Sequence, residues 1–496
     1  MPTSWKERIP SLGIAVIVVV AITGIFAPVY LHEYGFSDAY TQLLKLAVAP
    51  AGSAERADEI RHVVAMGRPG DAGLMLLLYG WAGDIAGLAR IRAFAVLSLA
   101  ILGLAFYREL RTAAWGRIES GAAAVFLATL PSLQISVAWA ATSTHVLAVI
   151  LSLSAGSLAL ADRSNRTVSL ALLLAIVLQV LATLIYQPAA MMLLFPLACR
   201  LGAALEVPAP ALRRAGVTLA AGLGMGFLAF RVGGAMYPAV ALARGARSGF
   251  VHDVPGKLEW FLREPFAHSL QFHALRGPEA LPIAAAVVLL LGTLLRPSGG
   301  WRPRLVGLAA TGAIVGLSYL PNLLTAESWA SYRTMIVLAP VLALLTLSAA
   351  RSLMRWNVVS RGIWTVLLVA AAGWGGVTAR RTVLDTIVLP QIRELALARE
   401  AIAERLPELS GRVAVRPARW EDGSAPWLLY DEFGITTLGV PWCVRPLTLL
   451  ILHEQGVPWR PGDVAFAPAG TAPGEGEALL DYHELLSRSP AVAGRR

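Results

Sequence analysis

Residues 12–31 read LGIAVIVVVAITGIFAPVYL and carry no charged side chain. A helix of about 20 apolar residues is long enough to cross the hydrocarbon core of a bilayer. Lys6 and Arg8 precede this run, but no small-residue cleavage site follows it. We therefore expect a retained membrane span and not a cleaved signal peptide.

The composition of the whole chain agrees with this first span. Apolar residues make up 56% of the 496 positions and charged residues only 15%, and the mean hydropathy is +0.62. Soluble domains carry roughly 25% charged residues. These values exclude a disordered chain, a nucleic-acid-binding array and a conventional soluble enzyme, and they indicate a polytopic membrane protein.

Further apolar runs have the length of a membrane span. A run at residues 72–83 has only twelve residues, so we expect it to be an interfacial or re-entrant helix. The eleven predicted spans are 12–31, 88–106, 120–139, 144–161, 167–185, 188–205, 216–236, 280–295, 305–324, 333–350 and 362–379.

Basic residues orient these spans, because cytoplasmic loops are enriched in Lys and Arg. Three connections on the opposite side, at 140–143, 186–187 and 325–332, contain no basic residue. The pattern predicts an N-terminus inside and a C-terminus outside. The sixteen basic residues assigned to the inside are Lys6, Arg8, Arg108, Arg111, Arg117, Arg163, Arg166, Arg200, Arg213, Arg214, Arg296, Arg302, Arg304, Arg351, Arg355 and Arg361.

The expected fold is an all-α polytopic membrane protein with a small C-terminal α/β domain. Residues 1–379 form the transmembrane domain, with long outer loops at 32–87 and 237–279, and residues 380–496 form the extracytoplasmic domain. In this tail, 380–406 has the pattern of an amphipathic helix and 447–452 that of a second helix. The stretches at 412–416 and 464–466 are typical of short strands.

Asp38, seven residues past the first span in YGFSDAY, is the acidic residue of greatest interest. A carboxylate at the outer surface can act as a general base toward an acceptor hydroxyl. The alternative is a solvated loop acid or a helix cap.

Arg68 lies in the stretch GRPG, directly before the apolar run 72–83. A guanidinium binds phosphate through two parallel hydrogen bonds and stays charged. Gly67 and Pro69 would fix a tight backbone on either side. The alternative is an arginine that snorkels to lipid headgroups.

Other polar residues stand at the outer ends of spans. Arg333 presents the same choice between phosphate and headgroup, as do Arg90 and Arg92. Tyr186 and Gln187 form a short outer turn and either line a cavity or sit at the membrane interface. The histidines are scattered without metal-ligand spacing, so no structural metal site is expected.

Together these motifs resemble the GT-C superfamily of multi-spanning glycosyltransferases, and within it the bacterial serotype-converting O-antigen glucosyltransferases. The motifs that carry the resemblance are Ser-Asp-Ala-Tyr at 37–40, Gly-Arg-Pro at 67–69, Ile-Tyr-Gln-Pro at 185–188, Ser-Tyr-Arg at 331–333 and Tyr-Asp-Glu-Phe-Gly at 430–434.

The resemblance implies an inverting transfer of a sugar from a polyprenyl-phosphate donor to a surface glycan or lipid on the periplasmic face of a bacterial inner membrane, as in lipopolysaccharide modification. Asp38 would be the catalytic base, and Arg68 and Arg333 would contact the donor phosphate. The expected cavity-lining residues are Tyr40, Tyr186, Gln187 and Tyr332. Relatives often have two acids in the first motif where this chain has Ser37 and Asp38, which puts any metal-binding role of a second carboxylate in question.

Two other functions stay open at this point. A transporter or flippase for a lipid-linked sugar would need ionisable residues at the bilayer midplane and repeated halves, and neither pattern is evident. A glycan polymerase or ligase would use a diphosphate-linked donor, for which the loop at 237–279 is suitable. We expect membrane lipid as a partner, no nucleic acid and no cofactor, and a requirement for a divalent metal stays open.

Overall fold

The chain is mostly helical, with one small sheet near its C-terminus. It is described here from a computed structural model. The described residues are 5–161, 165–242, 249–295, 300–354, 358–405, 412–419, 430–457, 463–467 and 478–488.

The described residues up to Met236 contain twelve α-helices. A π-helical segment at Leu44–Val48 and 3₁₀ turns at Ala140–Thr142 and Ala189–Leu194 connect some of them. The helices are α1 (Trp5–Ile25), α2 (Ala27–Leu31), α3 (Ala39–Leu43), α4 (Ala54–Ala65), α5 (Pro69–Ala82), α6 (Leu88–Thr112), α7 (Arg117–Ala128), α8 (Pro131–Ala138), α9 (Ser143–Leu160), α10 (Asn165–Ile185), α11 (Phe195–Gly202) and α12 (Ala209–Met236).

From Pro238 onward, the part of the chain that the structure describes contains eleven further α-helices and three strands. π-Helical segments lie at Leu262–Phe266 and Leu384–Val388, and 3₁₀ turns lie at Tyr332–Met335 and Thr437–Gly439. The elements are α13 (Pro238–Leu242), α14 (Val254–Phe261), α15 (Ala267–Leu270), α16 (Ala280–Leu294), α17 (Trp301–Ser318), α18 (Leu320–Leu324), α19 (Leu338–Met354), α20 (Val358–Val383), α21 (Leu389–Arg405), β1 (Val413–Arg416), α22 (Pro441–Glu454), β2 (Val464–Phe466), β3 (Ala478–Asp481) and α23 (Tyr482–Arg488).

Each of the eleven predicted spans falls on helical structure. Among the described residues, four helices are long and apolar enough to cross a membrane: Leu88–Thr112, Ala140–Leu160, Ala209–Met236 and Val358–Arg405. The pair α7 and α8 meets the same criteria together but is bent by 60°. The number of spans and their orientation stay predictions, and Arg163, Arg296 and Arg355 lie outside the described residues.

Proline explains several of the breaks within predicted spans. Pro131 lies in the first turn of α8, where a backbone N–H would have no partner within the helix, so the N–H that proline lacks is not missed. Proline cannot continue the hydrogen-bond pattern of α7, which therefore ends before it. Pro196 stands in the first turn of α11, after a 3₁₀ turn. Helix α9 lies near the centre of the bundle and packs against α6, α10, α11 and α12.

The last predicted span continues without interruption into the tail. Helix α20, the π segment and α21 form one 48-residue helix from Val358 to Arg405. The carbonyl of Thr386, inside the π segment, accepts a hydrogen bond from the backbone N–H of Gly434 at 3.1 Å. The tail is therefore joined to the membrane region by this helix, and the loop at Gly434 binds back to the same helix.

The tail is a small α/β unit. Its sheet is parallel with strand order β2-β1-β3, and Val413 pairs with Val464 on one side and Ala478 on the other. Strands β1 and β2 agree with the predicted stretches at 412–416 and 464–466, and β3 was not predicted. The buried carboxylate of Glu394 in α21 accepts the backbone N–H of Leu438 at 3.1 Å, which ties the long helix to the loop before α22.

Candidate functional site

The first outer loop is held in place by a buried arginine. Arg92 has no exposed surface and donates to the carbonyls of Val29, His32 and Tyr34 at 2.6–2.8 Å. Its guanidinium also lies 3.7 Å from the centre of the Tyr34 ring. Neither phosphate contact nor snorkelling describes this side chain. Arg92 instead fixes the loop that leads to Asp38.

Asp38 stands at the contact between this loop and the tail. It precedes α3 at the N-cap position, but its side chain makes no capping hydrogen bond. Its Oδ1 accepts the indole N–H of Trp442 at 2.7 Å. Nearby, the Ser37 N–H donates to Thr437 Oγ1 at 3.0 Å and the Thr41 hydroxyl donates to the Trp442 carbonyl at 3.0 Å. The tail therefore orients this carboxylate.

Tyr40 supports the same loop from within. It is 1% exposed, and its hydroxyl accepts the backbone N–H of Gly35 at 2.8 Å. Gly35 has no room for a side chain, because a Cβ there would lie 2.4 Å from the Tyr40 ring. The Tyr40 hydroxyl thus makes a hydrogen bond within the first outer loop.

Arg68 is directed at the end of α10 and not along the helix surface toward headgroups. Its Nε donates to Gln187 Oε1 at 3.0 Å, and its Cζ lies 4.7 Å from the centre of the Tyr186 ring. The Gln187 amide donates back to the carbonyls of Met66 and Gly67 at 3.1–3.2 Å. Gln187 therefore fixes both the Arg68 side chain and the backbone before it.

Gly67 allows the tight approach that places Arg68. Its φ is +72°, and a Cβ would lie 2.9 Å from the backbone of Phe230 in α12. We expect Gly67→Ala to destabilise the protein by about 1–3 kcal/mol, because left-handed backbone strain and the contact with Phe230 act together. Thermal unfolding of the detergent-solubilised chain measures this. Gly73→Ala is the matched control, because no atom lies within 4 Å of its Cβ, and an unfolding temperature for Gly67→Ala equal to that of the control would contradict the prediction.

Tyr186 connects the two predicted phosphate-binding arginines. Its ring stacks on His145 with centroids 3.6 Å apart, and its hydroxyl donates to the Arg333 carbonyl at 3.3 Å. Both Arg68 and Arg333 interact electrostatically with Tyr186. Tyr186 thus contacts the Arg68 guanidinium through its ring and the Arg333 backbone through its hydroxyl.

Arg333 is half enclosed by aromatic rings and by an acid from the tail. Its guanidinium lies 5.3 Å from the Trp139 ring and 4.8 Å from the Trp329 ring. Its Nε lies 3.3 Å from Glu432 Oε1, and Glu432 is buried. The Arg333 guanidinium also interacts electrostatically with Asp38.

The neighbouring Tyr332 packs against the same part of the tail. Its ring lies 5.5 Å from Phe433 and 5.9 Å from Tyr430. Its backbone N–H donates to Asp431 Oδ2 at 2.6 Å, and the Ser331 hydroxyl donates to Glu432. Residues 331–333 therefore form the surface that contacts residues 430–433 of the tail.

The part of the tail that contacts the site is the tight turn at 430–434. Tyr430 and Phe433 exchange backbone hydrogen bonds at 2.8 and 3.1 Å, and Asp431 has a φ of +54°. Burial, together with the adjacent Glu432 carboxyl, raises the pKa of Asp431 to about 9. The turn thus places two adjacent carboxyl groups, Asp431 and Glu432, beside residues 331–333.

This raised pKa makes stability depend on pH. An unfolded Asp titrates near 3.9, so between about pH 4 and 9 the folded chain binds more protons than the unfolded one. Stability therefore falls as pH rises through this window, by up to about 1.4 kcal/mol per pH unit from this group. We expect Asp431→Asn to flatten the decline, measured as unfolding temperature at pH 5, 7 and 9. Equal slopes for both proteins would contradict the assignment.

Asp71 is a second buried acid near Arg68 that the sequence motifs did not single out. It lies in the first turn of α5, and its Oδ1 accepts the Thr144 hydroxyl at 2.6 Å. Burial raises the pKa of Asp71 to about 6, although the Thr144 hydroxyl and the Arg68 charge act in the opposite direction. Its spacing of three residues from Arg68 was the only signal in the sequence.

The structure therefore places Asp38, Arg68, Arg333, Tyr186 and Gln187 in one connected region, and Tyr40 and Tyr332 are buried in the elements that carry Asp38 and Arg333. The residues that sequence reasoning missed here are Asp71, His145, Trp139 and Trp442. Among the described residues, no three His, Cys, Asp or Glu side chains converge as a metal site. The requirement for a metal stays open.

The chain was compared with protein families, with curated proteins and with solved structures. No family model matches the chain, and no curated protein matches it. Among solved structures, the chain is similar to the archaeal oligosaccharyltransferase AglB from Archaeoglobus fulgidus, solved with an inhibitory peptide and a dolichol-phosphate. The TM-score is 0.44 with 12% sequence identity, over 92% of this chain and 69% of that chain.

Proposed function

We propose that this chain is a GT-C type glycosyltransferase that moves a sugar, with inversion, from a polyprenyl-phosphate donor to a glycan or lipid acceptor. The observation that carries the proposal is that the Arg68 guanidinium lies against the Tyr186 ring, whose hydroxyl bonds to the Arg333 backbone. The Asp38 carboxylate lies within electrostatic range of the Arg333 guanidinium. This arrangement supplies cations for a leaving phosphate and a base for an incoming hydroxyl. The motif resemblance at 37–40, 67–69 and 331–333 supports the same function.

The proposed reaction is a single displacement. Asp38 takes the proton of the acceptor hydroxyl as its oxygen bonds to the anomeric carbon of the sugar. The bond from that carbon to the phosphate oxygen breaks on the opposite side, which inverts the configuration. The electron pair leaves with the polyprenyl phosphate, and Arg68 and Arg333 stabilise the charge that develops there.

The tail takes part by orienting both sides of the reaction. Trp442 fixes one oxygen of Asp38, and Glu432 holds Arg333 by an ion pair. A donor phosphate at Arg333 would share this guanidinium with Glu432.

A transfer assay tests this function. Purified protein in lipid vesicles is incubated with a panel of polyprenyl-monophosphate and polyprenyl-diphosphate sugars and with extracted surface glycolipids as acceptors. We expect product only from a monophosphate donor, with inverted anomeric configuration by NMR. Product only from diphosphate donors would favour a polymerase or ligase, and movement of a labelled donor between leaflets without product would favour a flippase.

A bacterial inner membrane location, with the tail on the periplasmic side, belongs to the same proposal. It rests on the predicted inside position of the basic residues and on a lipid-linked donor. Cysteine accessibility to a membrane-impermeant reagent tests the orientation, with single cysteines placed at exposed Asp58 in the first outer loop and at Arg213 on the predicted inner side.

A further inference from the structure

Two exposed tryptophans contact the two charged groups of the candidate site. Trp442, at the start of α22, is 58% exposed, and its indole N–H donates to Asp38 Oδ1 at 2.7 Å. Trp329 is 41% exposed, and the Arg333 guanidinium lies 4.8 Å from the centre of its ring. One indole therefore adjoins the proposed base, and the other adjoins a proposed phosphate-binding cation.

Trp442 is held in a fixed position although it is exposed. Asp38 accepts the hydrogen bond of its indole ring, and the Thr41 hydroxyl donates to its backbone carbonyl at 3.0 Å. Helix α22 also packs against α3, so the backbone that carries Trp442 is attached to the loop of Asp38. A tryptophan whose position is already fixed loses little conformational freedom when a ligand binds to it.

The surface that Trp442 presents to solvent is apolar carbon. Its only polar side-chain atom, Nε1, is engaged by Asp38, and Pro441 beside it is also exposed. Exposed apolar surface gains free energy when a ligand covers it. Tryptophan is also among the residues most enriched at binding surfaces. These features together indicate a surface that contacts a substrate.

The geometry of an inverting displacement relates the two indoles to different substrates. The acceptor oxygen approaches the anomeric carbon from the side opposite to the leaving phosphate. An indole beside the base therefore lies on the acceptor side, and an indole beside the cation lies on the donor side. Trp442 is thus placed to contact the group that carries the acceptor hydroxyl.

A pyranose ring has the shape and the chemistry that this surface requires. Its C–H bonds form an apolar face, whereas its hydroxyls project from the rim, so one face can pack on an indole while a rim hydroxyl reaches Asp38. The C–H groups carry a small positive charge, and the face of an aromatic ring is negative. A lipid acceptor would keep its apolar part in the bilayer, whereas Trp442 belongs to the tail, on the predicted outer side.

We propose that the acceptor is a surface glycan and that its accepting pyranose ring stacks on Trp442, with one rim hydroxyl directed at Asp38. Trp442 then determines acceptor specificity in addition to orienting Asp38. This inference rests on the transfer function proposed above and deepens it, because that function leaves a glycan and a lipid acceptor open.

Saturation-transfer NMR of the full chain in lipid nanodiscs tests the acceptor site without a donor. The probes are the methyl glycosides of glucose, galactose, rhamnose and N-acetylglucosamine, and a short peptide that contains serine and threonine. We expect at least one glycoside to bind, with saturation concentrated on the C–H protons of one ring face, and the peptide not to bind. Binding of the peptide alone, binding of no glycoside, or uniform saturation of the ring protons would overturn the proposal.

Substitutions separate stacking from the hydrogen bond. Trp442→Leu removes the aromatic face and should weaken glycoside binding by about 5–10-fold, the scale of one aromatic contact. Trp442→Phe keeps an aromatic face, so its binding should stay within about twofold of the wild type. Phe466→Leu is the matched control, because Phe466 is an exposed aromatic residue of the same tail, at 47%, but lies in β2. Equal binding by Trp442→Leu and this control would overturn the proposal.

Transfer kinetics distinguish a failure of this inference from a failure of the proposed function. Trp442→Leu should raise the KM for the acceptor about 5–10-fold and leave the KM for the donor unchanged. Trp442→Phe should mainly lower kcat, because Asp38 loses the indole hydrogen bond. An unchanged acceptor KM in a Trp442→Leu enzyme that still transfers sugar overturns the inference but not the function. Glycoside binding that depends on Trp442, without transfer from any donor, supports the glycan site and overturns the function.

Discussion

Replacing Asp38 by Asn is expected to reduce sugar transfer by about 10²–10⁴-fold, the usual contribution of a positioned general base. The asparagine amide has nearly the shape of the carboxylate, and its oxygen can still accept the Trp442 indole N–H. It cannot take a proton from the acceptor. The loss should therefore appear in kcat, measured with a polyprenyl-phosphate sugar in vesicles, while binding of the donor changes little.

Asp58→Asn is the matched control for this variant. Asp58 lies in the same outer loop and pairs with Arg61 at 2.9 Å, but its side chain is 63% exposed. Its activity should equal that of the wild type. Full activity of Asp38→Asn would remove Asp38 as the base and direct attention to Asp71, the buried acid near Arg68.

Arg68→Gln is expected to lower kcat/KM by about 10–100-fold. A hydrogen bond to a charged group contributes about 1.5–3 kcal/mol, and each 1.4 kcal/mol corresponds to a tenfold change in rate. Because the phosphate gains charge as the sugar leaves, the effect should be larger on kcat than on KM. Initial rates at several donor concentrations separate these two constants.

Arg68 is a better target than Arg333 for this measurement. Removing the Arg333 guanidinium would leave Glu432 buried without its cation, which costs about 3–5 kcal/mol of stability and confounds the rate. Arg90→Gln is the matched control, since Arg90 is also on the predicted outer side but is half exposed and contacts the Ala82 carbonyl. A kcat/KM for Arg68→Gln within about twofold of this control would contradict a phosphate-binding role.

Local features of this fold could be predicted because they depend on short stretches of sequence. Uninterrupted apolar runs determine where helices form, and the stretches at 412–416 and 464–466 alternate as strands do. The strand at Ala478–Asp481 was missed because ALLD shows no clear alternation. Its pairing with β1 comes from the tertiary fold and not from its own residues.

The candidate site was harder to predict because its contacts cross long stretches of chain. Asp38 and Trp442 are 404 residues apart, and Arg333 and Glu432 are 99 apart. The motif at 430–434 could be noticed in the sequence, but its contact with residues 331–333 could not be predicted from the sequence. Arg92 shows the opposite difficulty, since its place at the start of a span suggested an exposed cation, whereas three carbonyls bind it in the interior.

The 48-residue helix from Val358 to Arg405 determines how the tail is rotated about the helix axis relative to the membrane region. At 1.5 Å and 100° per residue it is about 72 Å long, more than twice the thickness of a hydrocarbon core. One inserted residue would turn the tail by about 100° and move Trp442 and Glu432 away from their partners together. A π segment is itself a local one-residue expansion of a helix. The segment Leu384–Val388 therefore already contains one such change in helical rotation, at the place where Gly434 of the tail binds the helix.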